Sequence, residues 1–168
     1  GGMLCVSATD TSSLCGTYKN PCIRKYSANP LKTEYCHENG IRTLVGFIAR
    51  VFAKYKKSVH VKFSHSSEHY MRIYLTIEKG AAITDQSLRD MGFILHCTNC
   101  LNRDLVTGFA PFIPSRCPVC GSTYNVAGPL WCGKIFDSDF IDGMLNVAED
   151  IIINQGKNVS KLLNLCRE

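Results

Sequence analysis

The stretch Cys97-Thr-Asn-Cys100, followed after sixteen residues by Cys117-Pro-Val-Cys120-Gly121, decides most about how this chain folds. We call the two cysteines of the first motif the first Cys pair and those of the other motif the second Cys pair. Each pair can aim two sulfurs at one tetrahedral ion, and two pairs at this spacing have the pattern of a four-thiolate zinc site. Gly121 permits the positive φ that such a turn often needs at its exit. The sequence therefore predicts that zinc organises this segment, which has few large apolar residues.

Several other chemistries fit the same four cysteines. Two redox-active pairs or two disulfides are the alternatives to a metal, and iron in the same cage is the alternative to zinc. Paired motifs at this spacing are much more specific for zinc than a lone Cys-x-x-Cys. His37 and His96 lie next to cysteines, but four thiolates already fill a tetrahedron, so neither histidine is expected as a ligand.

The composition is that of an ordinary globular protein, with 168 residues of which 45% are hydrophobic and 20% are charged. This length suffices for one good core or two small ones. No apolar run approaches the ~20 residues of a membrane span, and the N-terminus lacks the features of a signal peptide. We therefore expect a cytoplasmic protein with no membrane partner, in which four of the ten cysteines bind zinc and six stay reduced.

The positive charge is unevenly distributed. The net charge is +5, but ten Lys or Arg and only two acids lie between Thr11 and Ser67. We call these ten residues the basic run. Such one-sided charge suggests a polyanionic partner, and a solvated helix face is the alternative.

The N-terminal part predicts a strand followed by a candidate binding edge. Met3–Ala8 is apolar without alternation, as in a strand buried on both faces of a parallel sheet. The polar cluster 9–13 then falls at the carboxyl end of that strand, where open α/β sheets bind ligands. Asp10 is the carboxylate on this edge, and a turn or helix cap is its alternative role. An irregular excursion is expected next, and Arg24 and its neighbours there suit phosphate contacts and base stacking.

The remaining elements follow from periodicity. A helix begins between Leu31 and Ile41 and presents one apolar face, which includes Tyr55 at its end. Segments 59–63 and 70–77 alternate with period two, which predicts a β-hairpin. A short helix is predicted over 84–91 with Thr84 as N-cap and Gly92 at C′, followed by a strand over 93–96 and irregular chain at 109–113. A longer helix is predicted over 138–150, capped by Asp137 or Ser138, and its core face includes Val147. A last helical turn or two is predicted over 159–165.

A complete active site is not found by motif. The sequence has no Gly-x-Gly loop opening a helix, no Walker-type Gly-Lys-Ser/Thr and no His-Glu-x-x-His. Cys36-His37-Glu38 invites a nucleophile-and-base interpretation, but no oxyanion donor can be named for it, so local packing at a helix start is favoured.

Several of these segments together resemble the tRNA (guanine-26-N2)-dimethyltransferases, in particular the archaeal branch. The matching segments run in the family's order: Gly1–Thr11, Leu14–Gly16, Cys22–Tyr26, Lys32, Cys36–Glu38, Ile41 and Arg42, both Cys pairs, Gly128–Trp131, Asp137 and Phe140. The resemblance implies an α/β fold: the C-terminal end of a class I (Rossmann-like) methyltransferase sheet followed by a small α+β zinc-binding domain. It places the methyltransferase part at residues 1–79 and a C-terminal tRNA-binding domain with the four-cysteine zinc site at residues 80–168.

The resemblance also implies site residues, cofactors and partners. Thr9 and Asp10 would border the substrate pocket, and Arg24, Lys25 and Tyr26 would face RNA. S-adenosylmethionine and Zn²⁺ would be the cofactors, and tRNA and the missing N-terminal half of the methyltransferase domain the partners. The family's cofactor loop and its catalytic Asp-Pro-Phe-Gly stretch both precede the matched region, so the catalytic residues are expected upstream. The competing hypothesis is a non-catalytic zinc-containing module that binds RNA or protein.

Overall fold

The computed structural model describes residues 2–67, 69–150 and 156–167. The elements of the N-terminal part are β1 (Met3–Ala8), α1 (Thr11–Leu14), α2 (Lys19–Tyr26), α3 (Cys36–Ala53), β2 (Lys57–Ser66) and β3 (Met71–Lys79). Those that follow are α4 (Ala81–Ser87), a 3-10 turn (Leu88–Asp90), β4 (Met91–His96), β5 (Arg103–Thr107), β6 (Asn125–Trp131), α5 (Ser138–Asp150) and α6 (Gly156–Arg167). None of the helices in these described ranges combines the length and apolar character that crossing a bilayer requires.

The first sheet has the strand order β1-β3-β2, and both of its pairings are antiparallel. The predicted hairpin of β2 and β3 is confirmed, with a register shift between Val61 and Phe63. The expectation for β1 of a parallel strand buried on both faces is wrong for the described residues. Its side chains alternate between exposed and half-buried up to the buried Ala8, because only one of its faces packs on the core.

The segment after β1 is helical where an irregular excursion was expected. Helices α1 and α2 lie between residues 11 and 26, and Pro21 occupies the first turn of α2. Proline is tolerated there because the first-turn N–H groups have no intrahelical partner. Ser27 ends α2 in the left-handed conformation with a φ of 51°. The residues predicted to meet RNA from a loop are therefore presented by a helix.

Helix α3 is the central element that both sheets pack against. It begins at Cys36, so Gly40 lies inside it, buried beside Met71 and Leu14. Packing of the apolar face of α3 offsets the low helix propensity of that glycine. The predicted face is confirmed over most of its length, but Tyr55 lies beyond the helix end and is 69% exposed.

The second sheet has the order β5-β4-β6 and is also antiparallel. Strand β4 confirms the predicted strand before the first Cys pair. The helix expected at 84–91 instead begins at Ala81, and the Thr84 hydroxyl donates to the Gly80 carbonyl from inside it. Gly92 is wrong as a helix C′ residue, because it lies within β4.

The C-terminal helices pack on the far side of β2. The Asp137 carboxylate accepts the Phe140 N–H at 3.0 Å, so the predicted cap of α5 is confirmed. Val147 does not belong to the core face, since it is 55% exposed, whereas Ile141 is fully buried. Helix α6 extends over twelve residues, well beyond the expected turn or two. Segment 109–113 has no regular structure, as its prolines predict.

One hydrophobic core connects the two sheets. Side chains of α3 and the hairpin, such as Leu44 and Ile73, share a buried cluster with Met91 and Trp131 from the second sheet. Arg42 adds polar contacts from α3, because its Nη1 donates to the carbonyls of Trp131 and Gly133 at 3.1 and 2.9 Å. The division into residues 1–79 and 80–168 stays a prediction, and this core extends across it.

Candidate metal centre and nucleic-acid face

The two Cys pairs come together at the end of the second sheet. The first pair follows β4 and the second precedes β6, so the pairing of β4 with β6 brings the two turns to one place. The sulfurs of Cys97, Cys100, Cys117 and Cys120 all lie within 4.8 Å of one another. A contact of 3.4 Å joins Cys97 to Cys120, and a contact of 3.5 Å joins Cys100 to Cys117.

The two turns have the same backbone geometry. In each, the N–H of the residue four positions after the first cysteine donates to that cysteine's carbonyl at 2.9 Å, from Leu101 and from Gly121. Both of those residues are left-handed, with φ of 60° and 72°. In each turn the first cysteine's own N–H is also satisfied, by the carbonyl of the residue five positions on. The positive φ that the sequence predicted at Gly121 is therefore confirmed, and Leu101 adopts it without the freedom of a glycine.

The thiols of this cluster influence one another. Side-chain hydrogen bonds from Ser122 and Asn99 lower the pKa of Cys120 to about 5. The backbone of Asn102 favours the Cys100 thiolate, but burial and the neighbouring cysteines raise its pKa to about 12. Close thiolates repel one another, so a divalent cation that binds all four sulfurs would offset this repulsion and stabilise the deprotonated thiols.

The donor set fits zinc or iron. A tetrahedral ion with Zn–S distances of about 2.3 Å separates its sulfurs by about 3.8 Å, close to the contacts of this cluster. Cys97 and Cys117 are buried against Leu95 and Tyr124, so the four-cysteine cluster has its own small hydrophobic support. The four-cysteine cluster is thus compatible with a closed structural metal site.

Neither histidine named with the cysteines belongs to this cluster. His96 Nδ1 is 2.9 Å from the Tyr35 hydroxyl, and Arg103 lies 4.2 Å from the centre of the Tyr35 ring. His96 and Arg103 join the start of α3 to the second sheet through their contacts with Tyr35. The Glu38 carboxylate is bound by Arg42 Nε at 2.8 Å. Burial and the neighbouring Cys36 thiol raise the pKa of Cys15 to about 12.

The candidate binding edge after β1 is a hydrogen-bonded cluster. The Asp10 carboxylate accepts the Tyr26 hydroxyl at 2.6 Å and the Lys25 ammonium at 3.0 Å. Burial opposes its charge, but these two donors together lower the pKa of Asp10 below its usual value. The Tyr26 ring stacks edge-on against Phe47 at 5.6 Å. Three of the five predicted binding residues are thus brought together, while Thr9 and Arg24 are separately exposed nearby in sequence.

The basic run separates into internal and outward-facing cations. Arg50 Nη2 donates to the Tyr26 carbonyl at 2.6 Å and its Nε to the Gly46 carbonyl at 3.2 Å, so Arg50 caps α2 from α3. Lys62 pairs with Asp137 at 2.5 Å. Arg24 and Lys54 are exposed. Sequence charge alone did not distinguish these roles.

A polar cleft of about 830 Å³, which the sequence did not predict, lies between β2 and the segment before α5. Its lining includes basic side chains such as His60 and Lys134 and acidic ones such as Asp90 and Asp139. The residues that line the cleft come from four separate parts of the chain, so no local sequence motif predicts it. Mixed charge in an open cleft suits a polar ligand rather than an apolar one.

A comparison with protein-family models gives the class of protein that these elements belong to. Residues 1–168 match the family model described as N2,N2-dimethylguanosine tRNA methyltransferase. The chain therefore belongs to this family.

Individual relatives agree with that assignment. A tRNA (guanine(26)-N(2))-dimethyltransferase of Methanosphaera stadtmanae is 54% identical over 166 residues, which are 99% of this chain and 43% of the relative. A tRNA (guanine(26)-N(2)/guanine(27)-N(2))-dimethyltransferase of Aquifex aeolicus is 37% identical over 165 residues, or 97% of this chain and 42% of that enzyme. The chain thus spans less than half the length of the curated relatives that it matches.

A solved structure supports the same fold. The structure of Trm1 from Pyrococcus horikoshii in complex with S-adenosyl-L-methionine superposes with a TM-score of 0.87 at 36% identity, covering 99% of this chain and 42% of that one. The predicted methyltransferase-related α/β fold is therefore confirmed.

Proposed function

We propose that this chain works as the C-terminal part of a tRNA (guanine-26-N2)-dimethyltransferase of the cytoplasm. Such an enzyme transfers two methyl groups from S-adenosylmethionine to the exocyclic amine of one guanine. The observation that carries the proposal is the family match over residues 1–168, together with relatives of that name that align along nearly the whole chain. The aligned share of those relatives leaves room for a further part of the enzyme, which we propose as this chain's partner.

Zinc has a structural role in this proposal. Cys97, Cys100, Cys117 and Cys120 would hold one Zn²⁺ in a closed site, since four thiolates leave no position for a substrate. Support comes from sulfurs that lie within 4.8 Å of one another and from the matched turns around them. The ion would fix the loop that joins β4 to β5 and the turn that precedes β6.

RNA contact is proposed for the outward face of α2 and the end of α3. Arg24 and Lys54 are exposed cations, and Lys25 is 57% exposed although it pairs with Asp10. Tyr26 lies on the inner side of this face, where its hydroxyl donates to Asp10 and its ring packs against Phe47. Phosphate contacts from such residues supply affinity and orientation rather than sequence selection.

The chemical step places demands that the residues of this chain meet only in part. A guanine exocyclic amine is a weak nucleophile, so it needs an acceptor for its hydrogens and a fixed position near the methyl donor. The base must also leave its stack to enter a pocket. When bound, S-adenosylmethionine supplies the methyl group, but this sequence contains no Gly-x-Gly loop for it. We assign binding and orientation of tRNA to this chain, with Thr9 and Asp10 at the pocket border, and the acceptor to the upstream part.

The proposal is tested with two proteins: this chain alone, and this chain together with the residues encoded upstream in the same reading frame. Both are incubated with unmodified tRNA and labelled S-adenosylmethionine, and the nucleosides are analysed by mass spectrometry. We expect N2,N2-dimethylguanosine from the longer protein only. A tRNA with adenine at position 26 is the matched control and should yield none.

The results distinguish the proposal from the non-catalytic alternative. A longer protein that binds tRNA without forming methylated guanine would favour a zinc-containing binding module. Turnover by this chain alone, or calorimetric binding of S-adenosylmethionine to it at micromolar affinity, would contradict the division of roles and would assign cofactor binding to the segment after β1.

A further inference from the structure

A second group of metal-binding side chains lies away from the four-cysteine cluster. Cys15, at the end of α1, and Cys36 and His37, in the first turn of α3, place their sulfurs and a ring nitrogen all within 4.8 Å of one another. The three residues come from two elements that are separated by about twenty residues of chain. The chain path therefore has to bring them together, as it does for the Cys pairs.

The surroundings of this group differ from those of an ordinary core contact. Cys15 is 8% exposed and Cys36 half-buried, whereas His37 is exposed, so one side of the group is packed and the other is open to solvent. His37 Nδ1 is 2.8 Å from the Ser66 hydroxyl, which fixes the orientation of the ring. Metal-bound histidines commonly have such an outer contact.

The donor set defines the class of ion. Two thiolates and one imidazole form a borderline-soft set that suits Zn²⁺, and three protein ligands with an open side are the arrangement that leaves a fourth position for water. Binding would release the two thiol protons to solvent, because only thiolates coordinate. Oxidation of the same two sulfurs to a disulfide needs an external oxidant and would leave the histidine unused.

We propose that Cys15, Cys36 and His37 form a second metal site of the open three-ligand class, which takes Zn²⁺ or a similar divalent transition-metal ion. The site joins the end of α1 to the start of α3. It thereby fixes the segment after β1, which carries Asp10, relative to the central helix. This inference uses no part of the proposed methyl transfer.

The test is metal stoichiometry combined with X-ray absorption at the zinc edge, on the reduced full chain saturated with Zn²⁺ and freed of excess. We expect two zinc ions per chain. The spectrum should contain sulfur neighbours at about 2.3 Å and, in addition, nitrogen neighbours at about 2.0–2.1 Å. Cys36→Ser and His37→Gln should each lower the content to one zinc and remove the nitrogen signal.

Matched controls separate this site from general effects of losing a cysteine or a histidine. Cys132→Ser removes another half-buried thiol, and His60→Gln removes a half-buried imidazole elsewhere in the fold. Both variants should retain two zinc ions. His37 is exposed, so its variant is expected to fold even where Cys36→Ser does not.

The outcomes are distinguishable from failure of the four-cysteine site. One zinc with sulfur neighbours only would overturn the second site, and so would two zinc ions retained in both Cys36→Ser and His37→Gln. One zinc with mixed sulfur and nitrogen neighbours would support the second site and remove the first.

Discussion

The approach of helix α3 to strand β6 offers a test of how the two predicted domains are joined. A Cβ built on Gly46 would lie 3.0 Å from the Trp131 nitrogen and 3.1 Å from the carbonyl carbon and Cα of Leu130. These atoms are backbone of the second sheet, so they cannot rotate away as a flexible side chain can. The helix therefore approaches the sheet as closely as it does only because residue 46 has no side chain.

The perturbation is Gly46→Ala, and α5 contains its matched control, Gly143→Ala. Gly143 is also inside a helix, but a Cβ added there meets nothing within 4 Å. Alanine is favoured over glycine in a helix interior by about 1 kcal/mol, and this gain is common to both sites. Overpacking at Gly46 opposes it by about 1–3 kcal/mol. We expect Gly143→Ala to raise the free energy of unfolding, and Gly46→Ala to fall below it by about 1–3 kcal/mol.

Equilibrium unfolding in urea, followed by circular dichroism with zinc held constant, measures this difference. At about 2–4 °C per kcal/mol for a chain of this size, the two variants should also differ in Tm by about 2–12 °C. Coincident transitions from far-UV signal and from Trp131 fluorescence would indicate that both sheets unfold together. If Gly46→Ala stabilises the protein as much as Gly143→Ala does, the reasoning about this contact is refuted.

Other perturbations address the Asp10 cluster, the metal and the RNA face. Tyr26→Phe should lower the free energy of unfolding by about 1.5 kcal/mol at neutral pH, because it removes a hydrogen bond to the Asp10 carboxylate. The folded-state pKa of Asp10 lies below its ordinary value of 3.8, so this destabilisation should shrink as the pH falls from 3.8 through the folded-state pKa. Unfolding measured across pH that shows a constant destabilisation would contradict the pairing. Cys117→Ser should lose zinc by metal analysis and cost about 4 kcal/mol or more, and unchanged stability would contradict a structural ion. Arg24→Glu with Lys54→Glu should weaken tRNA binding and reduce its salt slope by about 0.9 per lost phosphate contact, whereas Lys161→Glu, an exposed lysine on α6, serves as the control and should not.

Periodicity and motif spacing predicted the elements that bury one face. Strand β3 alternates between buried and half-buried residues from Met71 to Thr76, and its fully buried Ile73 and Leu75 made the strand predictable. The Cys pairs were predictable because metal ligation constrains residue type and spacing together. In α3 the apolar spacing outweighed the low helix propensity of its two glycines, Gly40 and Gly46.

The missed elements lack such a pattern. Strand β5 is exposed at four of its five positions, so it carries no alternation and depends on pairing with β4. Helix α2 contains Pro21 and is mostly polar, and Cys22 is the one residue that it buries fully. Its formation follows from tertiary contacts, such as the caps from Arg50, which local sequence does not reveal.

The basic run illustrates why charge in a sequence underdetermines function. A guanidinium has five N–H donors, so arginine is suited to bind several carbonyls within a fold as well as a phosphate. Arg42 and Arg50 do the former, since each donates to backbone carbonyls of another element. An ammonium at an exposed helix end, such as that of Lys54, has no comparable task in the described part of the chain. RNA affinity should therefore depend on Arg24 and on exposed lysines such as Lys54. Substituting Arg42 or Arg50 should instead mainly lower the free energy of unfolding.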